Sequence, residues 1–371
     1  MVKIVLLSSI DPKLKAGYFN AVNDRVLEFK SRKDLCIRSY SLYKSGALFK
    51  FSIKRDSEHY YIEYPKILPS RGIFSFILLG LLRLIIFFII VVEKPTIIHA
   101  HWGYPIAYAG VFFKRFFKNI KFIVTFHGSD VHTYPRKYKD IFKKTSEICS
   151  QADYVTAVSR ELVIELKKQF NVTLDKISVT YNGIKLDNSD NTLVSREVQR
   201  FSFIGNLNDV KGADRIIPLF KSLSEKLQDE FEFIVAGSGP RLNELKIFAS
   251  TVKTGNFKVV GPLPRAQALA LMKASSCIFI LSRKEGLGIS AIEGLLYSDL
   301  CIALDVGGLP EVFVTNENLL IKGDFDSLLI VNKYIELKQN CYKVNRAYVM
   351  DNFSIDKNVE NECALYHKIL E

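Results

Sequence analysis

Between Ser282 and Glu293 the chain reads Ser-Arg-Lys-Glu-Gly-Leu-Gly-Ile-Ser-Ala-Ile-Glu, which sets two carboxylates, Glu285 and Glu293, around a pair of glycines. The apolar run 277–281 before it has the length and composition of a buried parallel strand, and from Ile289 onward the apolar residues recur at helical spacing. The segment is expected to fold as strand, glycine loop, helix. Gly286 and Gly288 leave out side chains where the chain must turn, so the N–H groups of Gly288, Ile289 and Ser290 at the helix start can approach a ligand closely. Such a helix start favours phosphate or carboxylate. Glu285 in the loop and Glu293, about two turns into the helix, can accept hydrogen bonds from sugar hydroxyls. The chemistry on offer is recognition of a diphosphate flanked by a polyol, although an ordinary loop with two solvated glutamates shows the same local pattern.

Other apolar strands end in histidines. The run 96–101 finishes in His99-Ala100-His101-Trp102-Gly103, and the run 121–126 is followed by His127-Gly128-Ser129-Asp130-Val131-His132. Ligand sites in open parallel sheets lie outside the carboxyl ends of strands, where both clusters fall. His99 and His101 share one strand face. His99 reads as readily as a satisfied core histidine. The four histidines, with Asp130 as a fifth ligand, also suit a metal ion, but no further Cys or carboxylate stands at a ligand-like spacing. Glycine turns close two more strand runs, Lys211-Gly212 after 200–205 and Gly237-Ser238-Gly239-Pro240 after 231–236. Either alone is a weak signal.

Taken together the segments become specific. The order Ser-x-x-Glu-Gly-x-Gly, a second Glu after seven intervening residues, an apolar strand at 300–304 and then Gly307-Gly308-Leu309-Pro310-Glu311 resembles the retaining glycosyltransferases of family four, which have the GT-B fold. Landmarks of that family run through nearly the whole chain. The resemblance implies that Lys211 and the helix-start N–H groups hold the diphosphate of a nucleotide sugar, in a loop of Glu285, Gly286, Leu287, Gly288, Ile289 and Ser290. It implies that Glu293 holds the ribose, that Glu285 holds a hydroxyl of the transferred sugar, and that Gly237, Gly239, Pro262 and Leu263 line the nucleotide. His127 matches the histidine that contacts the transferred sugar, and Asp130 the acidic residue beside it. The implied catalytic set is therefore His127, Asp130, Lys211 and Glu285. Gly17, His101 and His127 fall on the acceptor side, where the family usually carries a glycine pair and this chain keeps Gly17. Among the donor-side positions Asn206 stands where an Arg is expected; Asn removes a bidentate clamp, and Arg265 and Arg283 are the candidate substitutes.

The implied reaction is a transfer of a hexose from a nucleoside diphosphate sugar, without metal or other cofactor, to a lipid-linked or membrane-borne glycan acceptor in the synthesis of a capsule, exopolysaccharide or lipopolysaccharide. A non-catalytic or phosphorylase-like relative of the same fold is the alternative that Asn206 keeps open.

The elements that must position these residues are those of an α/β protein. Strand and helix patterns alternate throughout, which predicts two doubly wound, Rossmann-like sheets facing a cleft, and 371 residues suffice for two cores. Residues 1–185, with a C-terminal helix at 356–371 crossing back, are expected to form the acceptor-side, membrane-facing domain, and 186–355 the donor-binding domain, joined by a polar stretch at 185–200. Charge separates them. Residues 1–185 carry 30 Lys and Arg against 15 Asp and Glu, and 186–371 carry 21 against 24, within a formal net charge of +12. A basic first half points to an anionic partner, either nucleic acid or an anionic membrane surface. Its cations and aromatics lie in apolar periodic runs and not in a nucleic-acid motif, so no nucleic acid is expected, and a basic nucleic-acid-binding protein is the further alternative.

The apolar run 73–92 is long enough to span a bilayer, but Arg83 lies at its centre and a span would divide one sheet across the membrane. It is expected as a long helix against the bilayer, with Arg71, Arg83 and Lys94 reaching headgroups; a plain buried helix is the competing reading. Six cysteines without a C-x-x-C pair read as core thiols of a reducing compartment, and the apolar start 1–7 reads as a first strand and not a signal peptide. The expected location is cytoplasmic, peripheral to the inner face of the cell membrane.

Overall fold

Alternating apolar strands and amphipathic helices build two sheets in the computed structural model, which describes residues 2–9, 17–29, 32, 34–56, 59–72, 74–186, 198–228 and 230–371. The chain divides into two compact units, Met1–Lys185 with Ile355–Glu371, and Leu186–Ser354. The loop ahead of Gly17 and most of the 185–200 stretch lie outside the described residues. Gly17 itself begins the helix Gly17–Phe29.

The first unit holds β1 (Val2–Ser8), β2 (Leu35–Lys44), β3 (Ser52–Asp56), β4 (His59–Tyr64), β5 (Ile97–His101), β6 (Lys121–Phe126), β7 (Tyr154–Ala157) and β8 (Ile177–Val179) in the order β3-β4-β2-β1-β5-β6-β7-β8. Neighbours pair in parallel except β3 with β4, which are antiparallel. β5, β6 and β7 are almost wholly buried, which is why they read as continuous apolar runs without alternation. The strand order reverses between β1 and β5, and the carboxyl ends at such a reversal are where doubly wound sheets bind ligands.

The second unit holds β9 (Gln199–Ile204), β10 (Phe231–Ala236), β11 (Phe257–Gly261), β12 (Cys277–Ile280), β13 (Leu300–Leu304) and β14 (Leu320–Ile321) in the order β11-β10-β9-β12-β13-β14, all parallel. Its reversal point lies between β9 and β12. Phenylalanines from β9, β10 and β12 pack through the sheet: the Phe233 and Phe279 rings are 6.2 Å apart and nearly parallel, and Phe201 packs on both Phe231 and Phe279. That aromatic layer sets the strands rigidly beneath the loops at their carboxyl ends.

The run 73–92 folds as the helix Ser75–Glu93, a crossover from β4 to β5 of one sheet. Ser75, Leu78, Leu79, Leu82, Ile86, Ile89 and Ile90 are buried at helical spacing, while Phe76, Ile77, Leu84, Phe87, Phe88, Val91 and Val92 stay exposed. The expected reach of its cations changes. The Arg83 guanidinium lies 4.1 Å from the Phe112 ring centre and that of Arg71 4.2 Å from Tyr138, so both rest on aromatic faces of their own unit, while Lys94 forms the exposed C-cap.

The last helix, Ile355–Leu370, belongs to the first unit. Ile355 N–H donates to Ile184 O at 2.9 Å, and Val359, Leu365 and Tyr366 share one core with Ile4, Leu6, Val26 and Phe29. The helix carries Glu362 into an enclosed polar cluster. Glu362 Oε2 lies 3.3 Å from Arg25 Nε, its Oε1 lies 3.0 Å from His99 Nδ1, and the Tyr366 hydroxyl donates to it at 2.5 Å. Burial opposes the carboxylate's charge, but the Arg25 guanidinium and the contacts of His99 and Tyr366 outweigh it and lower its pKa from 4.5 to about 2. Its contribution to stability is therefore complete above its ordinary pKa of 4.5 and lost as pH falls toward about 2. Glu362→Gln leaves Arg25 buried without its counter-charge, and denaturant unfolding at pH 7 should show a loss of roughly 3–5 kcal/mol, much of it recovered by Arg25→Met with Glu362→Leu. A Glu362→Gln protein as stable as the wild type would show that the pair does not hold the helix.

Candidate functional site

The donor-side residues singled out above all lie at the carboxyl edge of the second sheet. Asn206 and Lys211 follow β9, Gly237 and Gly239 follow β10, Pro262 and Leu263 follow β11, and residues 285–290 lead from β12 into the helix Ile289–Tyr297. Two of these loops meet in one contact: Lys211 Nζ lies 2.6 Å from Glu285 Oε1, and Ser282 Oγ donates to the same oxygen at 2.8 Å. Glu285 is buried and Lys211 half-exposed.

The backbone explains the approach. Asn208 Oδ1 accepts the Lys211 N–H at 2.9 Å and caps the turn Asp209–Lys211, after which Gly212 takes φ +75°. A Cβ on Gly212 would lie 2.0 Å from the carbonyl oxygen of Leu281, so only glycine lets this turn press against the loop after β12. On the other side Gly307, at φ +57°, would put a Cβ 2.1 Å from the carbonyl oxygen of Glu285, and Gly308 N–H donates to that oxygen at 3.2 Å. Glu285 is thus held through its side chain from β9 and through its backbone from β13. The loop after β10 leans on the same turn, with Leu207 N–H donating to Ser238 O at 2.8 Å.

Glu293 is the fifth residue of its helix, little more than one turn in, so it lies nearer the N-terminus than the expected two turns. Its Oε1 is 3.4 Å from Arg265 Nη2, which brings the segment after β11 to the head of this helix. Neither candidate substitute for the missing Arg is uncommitted. Arg265 pairs with Glu293, and Arg283 forks onto Asp214 with two contacts of 2.7 Å and donates to Asp209 O at 2.6 Å. Asn206 is exposed. Lys211 and the N–H groups at the start of Ile289–Tyr297 therefore supply the positive potential at this edge. The Lys211–Glu285 pair is partly solvated, so its net worth is modest and Lys211 can exchange the carboxylate for a phosphate.

At the carboxyl edge of the first sheet His101 ends β5 and His127 follows β6, with His101 Nδ1 3.1 Å from His127 Nε2. Trp102, in the left-handed region at φ +69°, stacks on His127 with ring centres 4.3 Å apart. Burial, and then the neighbouring Arg25 and His99 charges, lower the His127 pKa to about 3, and burial drives that of the enclosed His101 well below 6.5. Both rings are neutral near pH 7. Asp130 accepts the N–H groups of His127 at 3.0 Å, Gly128 at 2.9 Å and Gly103 at 3.3 Å, so its carboxylate braces the two loops. Burial pushes it up to about 6, against the pull of those donors. His132 leaves this group and pairs with Glu161 at 3.0 Å. Instead His99 and His101 meet Glu362, three groups with the atoms to hold a metal. Arg25 already supplies a positive charge to that carboxylate, so the cluster is balanced as it stands.

Ser282, which fixes Glu285, is the first letter of its motif and was legible there, whereas Trp102, Arg25 and Glu362 escape the sequence reading. Trp102 is the single Trp and adjoins a histidine and a glycine, a weaker sign. Arg25 and Glu362 meet across 337 positions with no local signal.

Solved structures with this fold cover nearly all of both chains. Sucrose-phosphate synthase from Thermosynechococcus elongatus superposes with a TM-score of 0.77 at 15% identity, over 100% of this chain and 99% of that one. HepE from Anabaena, solved in complex with UDP-glucose, gives 0.73 at 14% identity, over 99% and 100%. The fold is therefore GT-B, two Rossmann-like domains in one chain. Residues 49–188 match the model described as Glycosyltransferase Family 4 and residues 187–347 the model described as Glycosyl transferases group 1. The chain belongs to the family-four glycosyltransferases. Curated relatives include the putative teichuronic acid biosynthesis glycosyltransferase TuaC of Bacillus subtilis, 29% identical over 62% of this chain and 58% of its own length. Another is the N-acetyl-alpha-D-glucosaminyl L-malate synthase of Bacillus anthracis, 24% identical over 75% of this chain and 76% of its own. The match to TuaC thus spans less than two thirds of that relative.

Proposed function

We propose that this glycosyltransferase is a retaining, metal-independent hexosyltransferase that uses a nucleoside diphosphate sugar and a lipid-linked or membrane-borne glycan acceptor in polysaccharide synthesis. The observation that carries the donor reading is the Lys211–Glu285 contact of 2.6 Å beside the N-terminus of the helix Ile289–Tyr297. HepE with UDP-glucose and the teichuronic acid name of TuaC support the donor class and the setting.

The chemical difficulty is the charge of the departing diphosphate. Lys211 and the N–H groups of Gly288, Ile289 and Ser290 meet it as it develops, which is usually the largest catalytic contribution. Glu285 accepts a hydroxyl of the transferred sugar, and Glu293, leaving Arg265, accepts the ribose. His127, neutral near pH 7, offers a hydrogen bond without a charge, and Asp130 fixes the backbone that presents it. No side chain is assigned as nucleophile. The acceptor oxygen bonds to the anomeric carbon on the face from which the phosphate leaves, and the departing phosphate oxygen takes the acceptor's proton.

The exposed face of Ser75–Glu93 and the basic residues of 1–185 suit docking on the anionic inner face of a membrane, so we place the protein in the cytoplasm at that surface. A donor-binding relative without transferase activity is the second reading, favoured by Asn206 and by the engagement of Arg265 and Arg283.

Glu285→Gln and Lys211→Ala should each cut turnover of the cognate sugar nucleotide by roughly 10²–10³-fold without lowering the melting temperature; full activity in both would sink the site assignment. Flotation with anionic vesicles should show binding at low salt that weakens as ionic strength rises, and indifference to lipid charge would remove the membrane from the account.

A further inference from the structure

Segment 45–53, the connection from β2 into the first residues of β3, is held by contacts that neither the donor edge nor the histidine pocket uses. Glu63 of β4 is only 2% exposed, and its carboxylate accepts Ser45 Oγ and Ser52 Oγ, each at 2.8 Å, and meets Lys50 Nζ at 3.1 Å. Backbone bonds complete the clamp: Ser45 N–H donates to Tyr64 O at 2.7 Å, Lys66 N–H to Ala47 O at 3.0 Å and Ile67 N–H to Leu48 O at 3.2 Å. This polar frame holds Leu48, Phe49, Phe51, Ile53 and Ile67 in solvent, with Phe49 at 76% exposure. Exposed Lys44, Lys50, Lys54, Arg55 and Lys66 alternate with them. Single apolar residues at a surface need no account; four in one clamped segment, with Ile67 bonded beside them, do.

The loop shares an edge with the histidines. Lys44 ends β2 and Tyr64 ends β4, both running parallel to β5 and β6, so the segment stands at the carboxyl edge where His101 and His127 lie. The intervening chain is tied to that pocket, because the Tyr104 hydroxyl donates to Ser70 O at 2.5 Å, two residues from Trp102.

We propose that this loop is a bilayer-inserting rim: its apolar side chains enter the interface of an anionic membrane, its cations meet lipid phosphates, and the histidine pocket comes to headgroup depth. Alternating aromatics and cations match that interface, and the excess of positive charge in residues 1–185 repels a second copy of the chain. The inference rests on the membrane reading above and extends it, since the helix Ser75–Glu93 alone would bring a sheet face and not this edge to the bilayer.

The sole tryptophan, Trp102, is a built-in reporter of that orientation. The full chain, the loop variant Phe49→Ser with Phe51→Ser, and the helix variant Phe88→Ser with Val92→Ser would be titrated with phosphatidylcholine–phosphatidylglycerol vesicles carrying brominated chains. The loop variant should partition roughly tenfold more weakly or worse, and bromine should quench Trp102 in the wild type but not in the loop variant at saturating lipid. A loop variant that binds and is quenched like the wild type overturns the rim, while weakened binding of the helix variant in the same series would leave the membrane reading standing. A wild type that ignores the vesicles overturns both, and one that dimerises through this loop in sedimentation overturns the lipid as occupant.

Discussion

The site depends on one close approach, that of the Gly212 turn to the Leu281 carbonyl. Any side chain at Gly212 would meet that oxygen at 2.0 Å, and with the turn displaced Lys211 could not reach Glu285 at 2.6 Å. The rest of the second unit serves this contact. The parallel order puts β9 next to β12 at the reversal of the sheet, Phe201 packs on Phe279 between the two strands, and Gly307 brings the loop after β13 against the backbone of Glu285. A cation and a carboxylate from loops more than 70 positions apart in the chain are thereby set at the mouth of one helix N-terminus.

This local arrangement has to work against the wider field. The half of the chain that carries the donor edge has 21 Lys and Arg against 24 Asp and Glu, so it does not attract a dianion by overall charge. Its arginines near the edge answer carboxylates of their own: Arg283 holds Asp214, Arg265 holds Glu293, and Arg241 holds Asp209 and Glu244. On the proposed donor reading, recognition of a diphosphate would rest on directed groups at short range, Lys211 and backbone N–H, which suits discrimination better than capture. Residues 1–185 differ in balance, with 30 Lys and Arg against 15 Asp and Glu.

The strands and the glycine loops were legible because each is a local pattern. Cys277 to Leu281 read as a strand from length and composition, and Ser282 to Gly288 as a loop from its spacing. What escaped is set by tertiary contact. The clamp on Arg83 is a phenylalanine ring 29 positions away, the counter-charge of Arg25 arrives on the last helix, and Arg265 is drawn off by Glu293 because that helix begins late enough to leave Glu293 near its N-terminus. Periodicity reports which face is apolar; it carries no information about which buried charge meets which.

The most direct measurement is a melting-temperature comparison of wild type and Lys211→Ala against UDP, GDP, ADP and CMP. A site built on Lys211 and the helix N-terminus predicts stabilisation by one nucleoside diphosphate, lost in Lys211→Ala while the unliganded melting temperature is kept. Equal stabilisation of both proteins, or none of either by any of the four, would contradict it.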